Sequence, residues 1–322
     1  MNYQNTLEKI YKEINFVKSK VINKYLDGGF FVIGEYKGRS AILRTSPVSN
    51  KNKIIKMQRE YEGSKIIDSY CQNNDLKISF NKIITSGTNQ DLKYIIRKYS
   101  KDETLSMHEE NNKPVLHGFD IIRDTFINDS GVILDDLINN IRNLQKIDSR
   151  IIKNSTKNLK LFSNRFDYTI PQNKVEIVER ELNVVLDSQM EFYSEHLDEY
   201  CSDENIKICM GDLIPPNILV TKDKHIILLD LEWFGIDNYM FDFSYLWLYL
   251  WKYPKWQKYL MSKIIITQKD KNFFHLSIIR SLINWYSHAF ETAKGADLEY
   301  KVNFYQNHIW LKYLKAVEKS FL

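Results

Sequence analysis

The strongest constraint on how this chain can fold is a change of texture near residue 100. Before it, short runs of β type alternate with glycine-containing turns. Residues 21–26 lead into Asp27-Gly28-Gly29, residues 30–36 into Lys37-Gly38, and residues 39–45 follow. Both turns are hairpin signals, so three antiparallel strands are expected. Two further strands, around 78–84 and 92–99, are divided by Ser86-Gly87-Thr88-Asn89. Between the groups, Met57, Tyr61, Ser64 and Ile67 mark a helix that also carries Glu60. Asn5 and Glu8 form an N-cap pair for an opening helix, with Leu7, Ile10, Tyr11, Ile14 and Val17 on its apolar face.

After residue 100 the apolar spacing is helical. Leu134, Leu137, Ile138, Ile141 and Leu144 form one stripe. Val178, Leu182, Val185, Gln189, Tyr193 and Leu197 form another, expected as one long helix. Helices are also expected at 241–252, 273–290 and 299–321. At 322 residues the chain is too long for one small core. The expected architecture is α+β in two lobes, residues 1–100 and residues 101–322, the first β-rich and the second mainly helical. The net charge is only +4, and acids lie between the lysines, so the charges read as solvated faces and no nucleic-acid partner is expected. Cys71, Cys201 and Cys209 are odd in number and lack metal-ligand spacing, which suits a reducing compartment. The first residues lack a basic segment followed by an apolar run, so no signal peptide is expected. The longest aromatic-apolar stretch, 243–251, is about half of a bilayer span. A cytoplasmic protein with no membrane span is the expectation.

One stretch interrupts the helices. Met210-Gly211-Asp212-Leu213-Ile214-Pro215-Pro216-Asn217 is a polar turn between apolar runs. Two short strands follow, joined by Lys222-Asp223-Lys224, and the second leads into Leu229-Asp230-Leu231-Glu232-Trp233. Asn217 lies five residues after Asp212, and Asp230 eighteen after it. Phosphoryl transfer needs a carboxylate to orient a hydroxyl, with an amide and a second carboxylate to hold Mg²⁺. These three positions supply that set.

The stretch resembles the aminoglycoside phosphotransferase and choline kinase superfamily, which has a protein-kinase-like fold. The superfamily's His-x-Asp-x-x-x-x-Asn corresponds to Met210 through Asn217, and its metal-site acid to Asp230. Phe241-Asp242 matches the Phe-Asp pair of choline kinases. In the first lobe, Ala41-Ile42-Leu43-Arg44 resembles the strand bearing the phosphate-binding base, and Arg59-Glu60-Tyr61 the helix bearing its acidic partner. The resemblance spans roughly residues 20–250.

It implies a bilobal fold with a small antiparallel sheet carrying one long helix, and an ATP- and Mg²⁺-dependent small-molecule kinase. In that reading Asp212 is the catalytic base, and Asn217 and Asp230 hold Mg²⁺. Arg44 contacts ATP phosphates and pairs with Glu60, and Arg97-Lys98-Tyr99 forms the adenine hinge. Gly28 and Gly29 either let the backbone approach phosphates or simply close a hairpin. Glu232 and Trp233 either line the acceptor pocket or finish the strand.

The sequence departs from the family pattern at several positions. Met210 replaces the usual His, Arg44 the usual Lys, and Gln145 stands where relatives often carry His. Tyr249 lies where choline kinases place a Glu, which sets the chain apart from a choline assignment. Tyr245, Trp247, Tyr249, Trp251, Tyr253, Trp256, Trp285 and Tyr286 form either core or a cage for an amine. The acceptor is a small hydroxyl compound: an amino alcohol, an aminoglycoside or a sugar-like metabolite. The rival reading is a pseudokinase-type nucleotide-binding or scaffolding module without phosphotransfer.

Overall fold

The computed structural model describes residues 3–24, 29–89, 91–107, 121–154, 160–162 and 166–315. Helix α1 (Tyr3–Glu13) precedes strands β1 (Phe16–Lys24), β2 (Phe30–Tyr36) and β3 (Arg39–Pro47). Helix α2 (Lys51–Asn74) and strands β4 (Ile83–Asn89) and β5 (Leu92–Lys98) follow. These strands form one antiparallel sheet in the order β1-β2-β3-β5-β4. Successive strand residues face opposite sides. On β5, Ile96 is buried with Leu7 and Ile10 of α1, whereas Ile95 is buried with Met57 of α2. The sheet is thus held between two helices.

Two local expectations need correction here. Asn15 adopts a left-handed φ of 52°, which stops α1. Val17 therefore lies on β1, with 65% of its surface exposed, and not on the helix. Residues 86–89, expected as a turn, belong to β4. Gly87 pairs with Tyr94, whose ring occupies the space a Cβ would need. The glycine marks a seat for a cross-strand ring, not a change of direction.

In the second part of the chain, strands β6 (Glu103–Thr104), β7 (Ser106–Met107) and β8 (Ile121–Ile122) precede α3 (Ser130–Leu144), α4 (Arg150–Lys153), α5 (Gln172–Leu182) and α6 (Asp187–Tyr200). Next come β9 (Ile206–Cys209), β10 (Ile218–Val220), β11 (Ile226–Leu228) and β12 (Gly235–Asn238). The chain continues through α7 (Phe241–Tyr249), α8 (Pro254–Ile264), α9 (Gln268–Thr292), α10 (Ala296–Asn307) and α11 (Ile309–Lys315). The helix expected through 178–197 is two helices, because Asn183 caps α5 in a left-handed conformation. The helix expected at 299–321 divides at His308, and residues past 315 lie outside the described ones.

Three features position the site. Leu228, at the end of β11, donates to the Ser79 carbonyl at 2.9 Å and accepts from the Asn81 N–H at 2.8 Å, tying the strand to the segment ahead of β4. Helix α9 begins with a Thr267–Asp270 capping box and is buried over most of its length. At its middle, Arg280 pairs with Asp237 of β12 at 2.5 Å, both side chains fully buried. The guanidinium also lies against Tyr168, Tyr200 and Phe241, at 5.0, 5.4 and 4.9 Å from their ring centres. A buried charge persists only with such partners, and this one fixes β12 between the two site loops. The result is the α+β, two-lobed fold expected from the sequence. No described helix is long and apolar enough to cross a membrane.

Candidate active site

The loop after β9 is held by its backbone. The N–H groups of Met210 and Gly211 donate to the two carboxylate oxygens of Asp242 at 2.8 and 2.9 Å. Asp242 is fully buried in the first turn of α7. Burial pushes its pKa up to about 7, against the pull of those two donors. Met210 is itself fully buried in the helical core. Gly211 has φ +73°, and a Cβ there would fall on the Trp233 carbonyl oxygen. Only glycine lets the two loops touch backbone to backbone. Gly211→Ala should therefore displace the loop, lowering turnover at least about tenfold and the melting temperature by several degrees. Steady-state kinetics and a melting curve check this, and wild-type values in both would refute the contact's importance.

Asp212 follows, half-buried. The Asn217 side-chain amide donates to the Asp212 carbonyl at 3.0 Å and to its carboxylate at 3.3 Å. Pro215–Asn217 form a single 3₁₀ turn, and the Leu229 N–H donates to the Asn217 carbonyl at 2.8 Å. The five-residue spacing thus closes into direct contact, next to the strand that leads to Asp230.

Asp230 does not end a strand. It lies two residues past β11 with φ 56°, and Glu232 and Trp233 occupy the turn beyond it. The reading that these two finish the strand is corrected. Around them lies a cluster of ions drawn from both lobes. Glu60 of α2 is bound by Arg97 at 3.0 Å and by Arg44 at 3.4 Å. Arg44 also pairs with Glu232, which Lys56 meets at 3.4 Å.

Burial opposes the charge on Arg44, but Glu232, Glu60 and Asp230 outweigh it and hold the guanidinium firmly protonated. Glu232 is likewise desolvated, yet Arg44 and Lys56 hold it below the usual carboxylate range. Asp230 has no base within ion-pair distance among the described residues. Burial, then Glu232 and Glu60, push its pKa up to about 7. Carboxylate oxygens of Glu60, Asp230 and Glu232 lie within 4.8 Å of one another.

The remaining sequence candidates are placed as follows. Arg97, read as a hinge residue, sends its side chain into the Glu60 pair. The Lys98 and Tyr99 N–H groups donate to the Lys82 and Ser40 carbonyls, at 3.4 and 3.1 Å. Gly29 is buried immediately ahead of β2, and Gly28 lies outside the described residues. Sequence reasoning missed Lys56 and Gly63, and named Arg59 only as a neighbour of Glu60. Arg59 donates to the Leu161 and Glu232 carbonyls at 2.6 and 3.3 Å, and a Cβ on Gly63 would come within 2.8 Å of the Phe234 ring. With Glu60 they recur at i, i+3, i+4 and i+7, one helical stripe facing the 232–234 turn. That spacing was a usable signal.

A cavity of about 600 Å³ opens beside the loop, with Asp212, Glu232 and Trp233 at one end and Trp285 and Tyr305 among its walls. A carboxylate in contact with an amide and facing a cavity, beside an acid cluster braced by arginines, can orient a hydroxyl and hold an anion with its cation.

Comparison with known proteins agrees with this geometry. Residues 122–265 match the model of the phosphotransferase enzyme family. That stretch, under half of the chain, is similar to the phosphotransferase enzyme family. The fold of the chain is similar to that of a macrolide 2′-phosphotransferase apoenzyme from Brachybacterium faecium, with a TM-score of 0.60 at 10% identity over 94% of this chain and 97% of that one. A putative aminoglycoside phosphotransferase from Ralstonia eutropha gives 0.56 at 13% identity over 97% and 98%. A spectinomycin phosphotransferase in complex with ADP and spectinomycin gives 0.55 at 11% over 98% of each chain. At such identities the likeness is one of fold. No curated protein matches the sequence. The match over residues 122–265 supports a phosphotransferase.

Proposed function

We propose that this phosphotransferase moves the γ-phosphoryl group of ATP to a hydroxyl of a small molecule. Residues 1–100 form the nucleotide-binding lobe and residues 101–322 the catalytic and acceptor-binding lobe. The observation that carries the reading is the contact between Asn217 and Asp212 at the mouth of the cavity, beside the arginine-braced acids. Asp212 orients the acceptor hydroxyl and takes its proton. Arg44, kept charged by its acidic partners, binds phosphate oxygens. Glu60 and Arg97 set the position of Arg44. The chain near Lys98 and Tyr99 borders the adenine, and Gly29 borders the phosphates.

The donor set fits Mg²⁺, a hard cation that takes carboxylate and amide oxygens. Asp230, which lacks a basic partner among the described residues, and Asn217, whose amide nitrogen is engaged by Asp212, would hold it. When bound, the ion supplies charge neutralisation on the phosphates. Glu60 and Glu232 belong to the arginine and lysine network and not to the metal set. A cytoplasmic location accompanies this reading, and the free thiols of Cys71, Cys201 and Cys209 suit it.

The test is a melting curve with ATP and Mg²⁺, followed by an ATP-consumption screen over amino alcohols, aminoglycosides, nucleosides and sugars. The expected results are a raised melting temperature and at least one acceptor that accelerates consumption. Binding of ATP with no acceptor-dependent consumption would favour a nucleotide-binding module instead.

A further inference from the structure

We propose that the acceptor is a hydroxylated compound with an apolar or aromatic ring face and at most one positive charge. This rests on the phosphotransfer reading and concerns the same cavity.

The charge on the cavity wall carries the first part of the argument. Among its described lining residues only Asp212 and Glu232 are acids. Glu232 is already engaged by Arg44 and Lys56. Against the acids stand Lys56, Lys301 and His288, with Lys301 paired to Asp297 at 3.1 Å. A polyamine acceptor needs carboxylates spread along its length. Here it would find one carboxylate at the reacting end and lysines on the wall. Like charges at contact distance in a partly enclosed site repel strongly.

The rings carry the second part. Trp233 already carries two protein cations against its ring, Lys56 and Arg59 at 5.0 and 5.4 Å, which disfavours a substrate cation there. The rest of the wall is mostly apolar or aromatic: Phe166, Ile214, Tyr249, Trp285, Ala289 and Tyr305, with Thr292, whose hydroxyl donates to the His288 carbonyl at 2.7 Å. Trp285 is braced edge-on by Tyr249 and Trp310, with centroids 5.9 and 5.8 Å apart, so the ring wall is packed in place. Asn284, the amide in this wall, accepts from Lys174 at 2.6 Å and donates to the Arg280 carbonyl at 2.8 Å. One donor hydrogen and one acceptor position of this amide are thus taken by the protein, and the apolar surface is the larger recognition element. A cavity of this size accepts a drug-sized or nucleoside-sized molecule.

The test measures ADP release with ATP and Mg²⁺ in the presence of kanamycin, a polyamine, or of a set of neutral and singly charged ring compounds bearing hydroxyls, starting with phenyl glycosides. The ring set should accelerate release and kanamycin should not. Trp285→Ala should raise the acceptor KM about tenfold, and Trp285→Phe should restore most of it. Acceleration by kanamycin overturns the assignment. So does a ring set that neither accelerates release nor raises the melting temperature, and so does an unchanged KM in Trp285→Ala. Failure of ATP with Mg²⁺ to raise the melting temperature is a separate outcome. It removes the phosphotransfer reading, and the acceptor assignment with it.

Discussion

Asp212→Ala should lower turnover by about 10²–10⁴-fold, the range expected when a positioned acid–base group is lost. The nucleotide should still bind, because Arg44, Glu60, Arg97 and Asp230 lie on other segments and keep their contacts. The fold should also survive, since the Met210 and Gly211 N–H groups anchor the loop on the buried Asp242. Acceptor-dependent ADP release and an ATP titration, run on the same preparation, separate the two effects. Turnover within a few-fold of wild type would remove Asp212 from the mechanism.

Asp230→Ala should instead abolish the Mg²⁺-dependent part of nucleotide binding. Outer-shell partners of a metal typically contribute about 10–100-fold in affinity, so removing a direct ligand should cost at least about 100-fold. The substitution also removes one of three acids crowded within 4.8 Å, so the apo protein should not lose stability. Glu232 and Glu60, which raise the Asp230 pKa, are relieved of a like-charged neighbour. Titration with ATP, with and without Mg²⁺, checks this. Equal Mg²⁺ dependence in wild type and variant would place the ion elsewhere.

What the sequence revealed and what it concealed divide along physical lines. Asp212, Asn217 and Asp230 were singled out because phosphoryl transfer constrains residue type and spacing together; the structure brings Asn217 onto Asp212, and the roles of the three are those proposed above. The two-lobed architecture was legible because its strands and helices leave different apolar periods. Lys56 and Gly63 were not read and Arg59 was given no role of its own, although they share a helical stripe with Glu60. The buried residues next to them, Met57, Ser64 and Ile67, drew the helix assignment to the face that packs on the sheet and core. Arg97 was placed by backbone position alone, and its side-chain destination depends on β5 lying beside β3, a long-range pairing. The conformation of Asp230 and the turn at Glu232 were hidden because positive φ at a non-glycine residue leaves no compositional mark. Gly87 was misread for the opposite reason: a glycine that looks like a turn serves a neighbouring ring. The departure at Met210 is clearer in the fold, where the side chain simply fills the core.

The most direct test of the central claim follows the phosphoryl group itself. ATP labelled at the γ-phosphate is incubated with the protein, Mg²⁺ and pooled hydroxyl compounds, and the products are separated. The account predicts that label moves onto an acceptor with the wild-type protein and stays on ATP with Asp212→Ala. Transfer at the same rate by both proteins, or label released only as inorganic phosphate whatever the acceptor, would contradict it.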